Sequence, residues 1–413
     1  MDTVAPQPLE GFVSTGLSPE ILSALRWLGL TTPTPIQGKA IPIAIEGADL
    51  VGIAETGTGK TYAFGLPIIQ TLHKKKGRGL IVVPTRELAL QVEESLRKIT
   101  NRMSPALRTV CLIGGAPIYR QVGDLKRHPQ IIIATPGRLN DLLNQSLIDV
   151  SDVVTLVLDE ADRMLDMGFM PQIKRILEHL PAERQTMLFS ATMAPEVSAI
   201  ANGYMRHPSR IEVSKPGTTV KQIQQELCYV SQTGKIDLLN ELLHSHDGTV
   251  LVFSRTKHGA AKLSKRLQAD GISSAEIHSN RSLGQRRQAL DGFKNGRYRV
   301  LVATDVAARG IDVKDIALVV NYDLPDAPED YIHRIGRTGR AGKSGKAISF
   351  ATHDQQRDVR AIERLVSQPI PLSEKSEKPL YQAPAPRHFG GGSSFGGPRR
   401  SFNRSGRRPQ FAR

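Results

Sequence analysis

The stretch Gly52-Ile53-Ala54-Glu55-Thr56-Gly57-Thr58-Gly59-Lys60-Thr61 reads as an apolar strand, a glycine-rich loop and a Lys-Thr pair opening a helix. Glycines let the backbone curl so that successive N–H groups face phosphate oxygens, and the helix N-terminus adds positive potential. In that frame Lys60 reaches the β- and γ-phosphates, and the Thr61 hydroxyl takes a place on Mg²⁺. Further along, Val154-Thr-Leu-Val-Leu-Asp159-Glu160-Ala161-Asp162 is an apolar run delivering carboxylates at its C-terminal end. Asp159 suits a metal's water shell, and Glu160 can orient or deprotonate an attacking water. Together the two stretches predict nucleoside-triphosphate hydrolysis.

Each signal alone is weak. Ala54 replaces the first glycine of the common phosphate-loop pattern, and Asp-Glu-Ala-Asp by itself reads more readily as an acidic helix start. Their joint occurrence in the correct order, each behind an apolar run, carries the inference.

These motifs need a scaffold. Strand candidates in the first half are 50–54, 80–83, 110–113, 131–134, 154–158 and 187–190, with amphipathic stretches at 87–100, 138–144 and 170–179. The alternation predicts an α/β fold with a mostly parallel sheet and helices on both faces. The pattern restarts with 249–254, 275–278, 300–304, 318–321 and 347–351, without a second phosphate loop. Residues 213–222 carry turn formers and read as a linker. The expected domains are 1–212, then 223–370, then a tail over 371–413.

At 413 residues the chain suits two domains, and 39% hydrophobic with 23% charged residues is ordinary for a globular protein. The longest apolar runs are too short for a membrane span, and the N-terminus lacks signal-peptide character. Cys111 and Cys228 stand far apart in strand-like contexts, as buried thiols of a reducing compartment do, so a cytoplasmic location is expected. A net charge of +15 points to a polyanionic partner. Between Pro379 and Arg413 there is no acidic residue, while arginines, glycines and Phe389, Phe395, Phe402 and Phe411 are interspersed. That composition predicts disorder, serving either as a solubilising tail or as a sequence-tolerant nucleic-acid binder.

The second half supplies cations. Asp305-Val-Ala-Ala-Arg-Gly-Ile-Asp312 follows a strand, and His333-Arg-Ile-Gly-Arg-Thr-Gly-Arg340 follows a helical pattern over 328–334. Arginines at 334, 337 and 340 form a solvated basic face in the bland reading. The interleaved glycines favour close approach to a ligand, and two arginines on a γ-phosphate would act as arginine fingers.

On these residues the chain resembles the DEAD-box ATP-dependent RNA helicases of superfamily 2, from about Phe12 to Ser367. The motifs stand in order: Pro33-Thr-Pro-Ile-Gln37, Ala54–Thr61, Pro84-Thr-Arg-Glu-Leu-Ala89, Gly114-Gly115, Thr135-Pro-Gly-Arg138, Asp159–Asp162, Ser190-Ala-Thr192, Phe253-Ser-Arg255, Thr304–Asp312 and His333–Arg340. The short linker and Gly/Arg tail look most like the bacterial RhlE-type subgroup.

The resemblance implies two tandem RecA-like domains, ATP and Mg²⁺, and binding of single-stranded or short duplex RNA; a monomer is expected, with a dimer left open. Lys60, Glu160, Arg337 and Arg340 become catalytic, and Thr61 with Asp159 serve the metal. Phe12, Leu30, Gln37 and Asp312 join Ala54, Glu55, Thr56, Gly57, Thr58, Gly59, Lys60 and Thr61 around the nucleotide, with Gln37 on the adenine edge and Asp312 on the ribose. Asp162, Ser190, Thr192 and His333 couple hydrolysis to the RNA-bound state. Arg86, Gly115, Thr135, Arg138, Arg255, Arg286, Thr304 and Asp305 line an RNA channel. Contacts to phosphates and 2′-OH groups there bind without reading sequence and distinguish RNA from DNA.

Two positions depart from the family. Leu30 stands where an aromatic residue usually covers adenine, and Leu283 stands where a glutamine usually precedes Arg286 by three. Two rival readings remain: an RNA-annealing chaperone or ATP-gated clamp working through its tail, and a DNA helicase. Ribosome-assembly and RNA-decay proteins are both compatible partners.

Overall fold

A computed structural model describes residues 10–55, 57–213, 223–308, 316–339 and 345–376. The expected linker and tail, together with Thr56, Asp312 and Arg340, fall almost wholly or wholly outside these residues. Among the described residues no helix is long and apolar enough to cross a membrane.

The first lobe is built on a seven-stranded sheet: β1 (Leu50–Ile53), β2 (Arg78–Val82), β3 (Thr109–Leu112), β4 (Ile131–Ala134), β5 (Val153–Leu158), β6 (Gln185–Ser190) and β7 (Ser209–Glu212). All pairings are parallel, in the order β3-β4-β2-β5-β6-β1-β7. Alternate residues feed opposite faces: Ile131 and Ile133 join one hydrophobic core, Ile132 and Ala134 the other. This two-sided burial is why the central strands read as unbroken apolar runs.

The second lobe carries β8 (Ile223–Tyr229), β9 (Val250–Phe253), β10 (Ser274–Ile277), β11 (Val300–Ala303), β12 (Leu318–Asn321) and β13 (Gly345–Ala351). Its order, β10-β11-β9-β12-β13-β8, repeats that of the first six strands, so β8 is the counterpart of β1 and β12 of β5. The counterpart of the phosphate loop is therefore the turn from β8 into the helix Lys235–Ser245. It too places a lysine at the first helical position, and Lys235 is 1% exposed. Its Nζ lies 3.0 Å from Asp323 Oδ1, just past β12, where the first lobe has Asp159. Gly234 sits at φ −79° in the ordinary right-handed region, whereas Gly59 is left-handed at 93°. The second turn thus has its lysine neutralised internally and lacks the left-handed glycine that curls the first.

β7 and β8 escape sequence patterning because both are edge strands in which polar residues break the apolar pattern. Beyond β8 the chain returns: Leu227 N donates to Pro371 O at 2.8 Å, and Ser373 N to Leu227 O at 2.8 Å. Tyr229 N donates to Ser376 Oγ at 2.9 Å. Residues 371–376, expected in the tail, lie along β8 and cover an otherwise open sheet edge.

Candidate active site and nucleic-acid interface

Gly57 and Gly59 take φ values of 85° and 93°, left-handed conformations that a side chain would strain. Gly59 also has no room, because a Cβ there would overlap Gln37 Nε2 and Thr34 Oγ1. The resulting turn leads into the helix Lys60–Lys74. Lys60 is 6% exposed, and its Nζ has no hydrogen-bond partner in the structure, with Asp159 Oδ1 at 3.9 Å. A buried ammonium with unused donors is costly unless an anion completes it, so the loop fits a phosphate chain. Thr61 follows at the second helical position, half-buried. Its hydroxyl and the Asp159 carboxylate are the hard oxygen donors that Mg²⁺ prefers, so the donor set fits that ion.

β5 ends in Leu158 and delivers Asp159, Glu160 and Asp162 buried. Burial pushes the Asp159 carboxyl up to about 6, against the pull of Lys60 and with the push of Glu160. Burial works against the Glu160 charge as well, yet Arg163, Lys60 and Arg337 hold it down. Glu160 Oε2 accepts from Arg163 Nη1 at 2.8 Å, and Glu160 sits at φ 53°. A left-handed non-glycine residue is strained by ~1–3 kcal/mol and persists where surroundings fix it. The sequence motifs do not single out Arg163, which is 2% exposed. Its i,i+3 spacing from Glu160 is the available signal.

Asp162 Oδ2 accepts from Ala191 N at 3.0 Å, Thr192 N at 2.9 Å and Thr192 Oγ1 at 3.3 Å. Asp162 N donates to Ser190 Oγ at 3.3 Å. The acidic segment and the Ser190–Thr192 turn are therefore one hydrogen-bonded unit. Ala54 N donates to Ser190 O at 2.9 Å, tying the same turn to the phosphate loop.

Gln37 Oε1 accepts from Thr34 N at 2.9 Å, and Nε2 donates to Gly59 O at 3.0 Å. One donor and one acceptor site of the amide remain, the number an adenine edge requires. Phe12 is 2% exposed within the first core, and Leu30 packs against that core half-buried. Thr58 Oγ1 donates to Glu55 O at 2.8 Å within the loop.

In the second lobe, Arg337 is 3% exposed and its Nε donates to His333 O at 3.2 Å. His333 was expected on the acidic segment; its Nδ1 lies 3.9 Å from Asp330 of its own helix. Arg334 does not share a ligand-facing row with Arg337. It is 2% exposed and forks onto Asp305 at 2.5 and 2.7 Å. Asp305, expected along the RNA channel, holds Arg334 with both carboxylate oxygens. Arg286, also expected there, has its Nη2 2.9 Å from Glu87 Oε2 of the first lobe.

The remaining channel candidates follow strand ends. Arg86 opens the helix after β2 and packs on Gly114 and Gly115, where a Cβ at Gly115 would overlap its guanidinium. Thr135 and Arg138 follow β4, and Arg138 Nη2 donates to Ala116 O at 3.1 Å. Thr304 follows β11 and is buried. Arg255 follows β9, with its N on Asp323 Oδ2 at 3.1 Å and its Nε 3.2 Å from Asp326 Oδ1.

Comparison with known proteins decides what this arrangement is. Residues 34–200 match the DEAD/DEAH box helicase family, and 234–342 match the helicase conserved C-terminal domain. The CshA DEAD-box ATP-dependent RNA helicase of Geobacillus kaustophilus is 44% identical over 356 residues, covering 86% of this chain and 76% of that protein. The chain belongs to the DEAD-box ATP-dependent RNA helicase family. The Listeria monocytogenes CshA is 43% identical over 376 residues, 90% of this chain and 70% of the relative. Among solved structures, S. cerevisiae Dbp5 bound to RNA and ADP BeF3 matches with a TM-score of 0.78 at 30% identity, over 88% of this chain and 95% of that one. Mss116p bound to single-stranded RNA and AMP-PNP gives 0.81 at 29% identity, over 91% and 81%. These matches span both lobes, which are RecA-like. A Methanococcus jannaschii DEAD-box protein is more similar in sequence, at 37%, yet superposes at only 0.52 over 88% and 99%.

Proposed function

We infer that this DEAD-box ATP-dependent RNA helicase separates short duplexes locally, by closing its lobes on ATP and one RNA strand. The observation that carries the reading is the buried ion pair at 2.9 Å between Arg286 of the second lobe and Glu87 of the first, with second-lobe Arg337 also lowering the first-lobe Glu160 carboxyl. Closure thus completes the hydrolytic site from both lobes. The Lys60 ammonium takes the β/γ-phosphates, Glu160 orients and deprotonates the attacking water, and Arg337 and Arg340 stabilise charge on the γ-phosphoryl group. Thr61 and Asp159 would hold Mg²⁺, which when bound neutralises phosphate charge. Asp162, hydrogen-bonded to Ser190 and Thr192, links the carboxylate segment to the turn that moves with RNA.

On the RNA side, Arg86, Gly115, Thr135, Arg138, Arg255 and Thr304 form a channel that binds phosphates and 2′-OH groups. A strand bent to follow it cannot stay in a regular duplex, and only stronger binding of ATP and single strand to the closed form drives the cycle. Relatives named for RNA helicase activity, and neighbours described as bound to RNA with ADP BeF3 or AMP-PNP, support this reading. The protein works in the cytoplasm as a monomer, and its partners belong to ribosome assembly or RNA decay. The linker and Gly/Arg tail favour the RhlE-type subgroup, although the relatives above are of the CshA type. The basic tail tethers RNA. Truncation after Lys378 should flatten the slope of log affinity against log salt by ~0.7 for each RNA phosphate that the tail neutralises.

The deciding experiment is displacement of a short RNA duplex by the purified chain with and without ATP. ATP-dependent displacement supports the helicase. Salt-dependent annealing that needs no ATP would instead support the chaperone.

A further inference from the structure

The turn carrying Gly115 runs directly into the helix Ile118–Leu125, whose outer face has no part in the cycle above. Ile118, Val122 and Leu125 pack against the first lobe's core, which turns Tyr119 outward. Tyr119 is 67% exposed, and the Arg120 guanidinium carbon lies 5.9 Å from its ring centroid. The first turn of this helix is fastened to the channel. Gln121 Nε2 donates to Ile113 O at 3.0 Å and to Ala116 O at 3.4 Å, and Arg138 Nη2 donates to the same Ala116 O at 3.1 Å. Arg138 Nη1 is buried with no hydrogen-bond partner, a donor left for a ligand at that junction.

The charge on this face is also suited to an anion. Arg120, Lys126 and Arg127 stand against one carboxylate, Asp124, which lies 3.8 Å from Arg127. An exposed ring flanked by a guanidinium and continuous with phosphate-binding groups has the makings of a single-strand platform. The ring takes a base face and the cation follows the backbone.

We propose that Tyr119 and Arg120 form a stacking platform for an unpaired nucleotide of the bound RNA strand, immediately outside the Gly115–Arg138 end of the channel. The proposal rests on the channel reading given above. Stacking ignores base identity, so the platform lengthens the footprint without adding sequence preference. It also gives this helicase a grip on a single-stranded extension beside the duplex it opens.

The test uses the full chain with a non-hydrolysable ATP analogue and two oligouridylates, one just filling the channel and one about four nucleotides longer. Tyr119→Ala should weaken the longer oligomer about 10-fold, within the range expected for one stacked base, and leave the shorter unchanged. Tyr119→Phe should bind both like the parent chain. A 2-aminopurine placed in the extension should be quenched on binding by the parent and by Tyr119→Phe, but not by Tyr119→Ala. Equal affinity of parent and Tyr119→Ala for the longer oligomer overturns the platform, as does equal weakening of both oligomers. Arg138→Ala separates the two readings: if it binds the shorter oligomer as tightly as the parent, the channel assignment itself fails.

Discussion

Arg286 Nη2 lies 2.9 Å from Glu87 Oε2, an ion pair that joins the two lobes with both side chains under 10% exposed, at 8% and 6%. Glu87 stands in the first turn of the helix Arg86–Thr100, and Arg286 in the helix Leu283–Lys294. Burial pushes the Glu87 carboxyl up while Arg286 opposes it; burial likewise lowers Arg286. Leu283, where the family glutamine is missing, packs against the first lobe's core. An apolar contact and a buried ion pair therefore sit side by side at the closure boundary.

Arg286→Ala would leave Glu87 charged and unpaired whenever the lobes close. Breaking one side of a buried pair typically costs ~3–5 kcal/mol, so RNA-stimulated ATP turnover should fall about 100-fold or more. ATP binding by the first lobe should be unaffected, because Arg286 lies in the second. The double substitution Glu87→Gln with Arg286→Met should recover part of the loss. Steady-state turnover over a range of RNA concentrations checks this, and parental turnover in Arg286→Ala would show that closure does not use the pair.

Glu160→Gln keeps shape and hydrogen bonding toward Arg163 while removing the base. The variant should bind ATP and RNA yet hydrolyse at least 100-fold more slowly. Single-turnover hydrolysis of bound ATP isolates the chemical step, and near-parental rates there would reassign the base.

Leu30 packs half-buried against the core that holds Phe12, beside the segment bearing Gln37. Leu30→Phe should tighten ATP binding several-fold, corresponding to about 1 kcal/mol of stacking that an aliphatic side chain cannot supply. Calorimetric titration of a folded variant that shows unchanged affinity would place Leu30 away from the base.

What the sequence made legible follows from where each interaction is local. Central strands such as 131–134 and 318–321 were readable to the residue because both faces are buried. The edge strands β7 and β8 were not, since one side of each meets solvent or a returning segment and polar residues intervene. The phosphate loop and the Asp159–Asp162 run were visible because glycines and clustered carboxylates announce themselves in contiguous sequence. The ion pairs of Arg286 with Glu87 and of Asp305 with Arg334 were not legible, because the partners are distant in the chain. Nothing local distinguishes an arginine facing RNA from one facing a buried carboxylate.

Lys235 and Asp323 make the same point in the second lobe, and they also make a prediction. Burial works against the Asp323 charge, but Lys235, the Arg255 amide and the Ser254 hydroxyl hold its carboxyl below the usual range. A depressed carboxylate contributes stability that is present above its unfolded value near 4 and lost as pH falls through the folded one. Lys235→Met removes the strongest of these partners, so the carboxyl should rise and the second lobe should lose ~3–5 kcal/mol at neutral pH. Adding Asp323→Asn removes the stranded charge and should restore most of that stability. Because Asp323 also fixes the Arg255 backbone, Lys235→Met should weaken RNA binding in the parent but add little to Arg255→Ala, a non-additivity that marks one shared function. Thermal unfolding of the full chain between pH 3 and pH 7, with RNA affinities of the single and double variants, checks both parts. Full additivity with Arg255→Ala would confine Lys235 to a structural role, and an unchanged unfolding profile in Lys235→Met would remove even that.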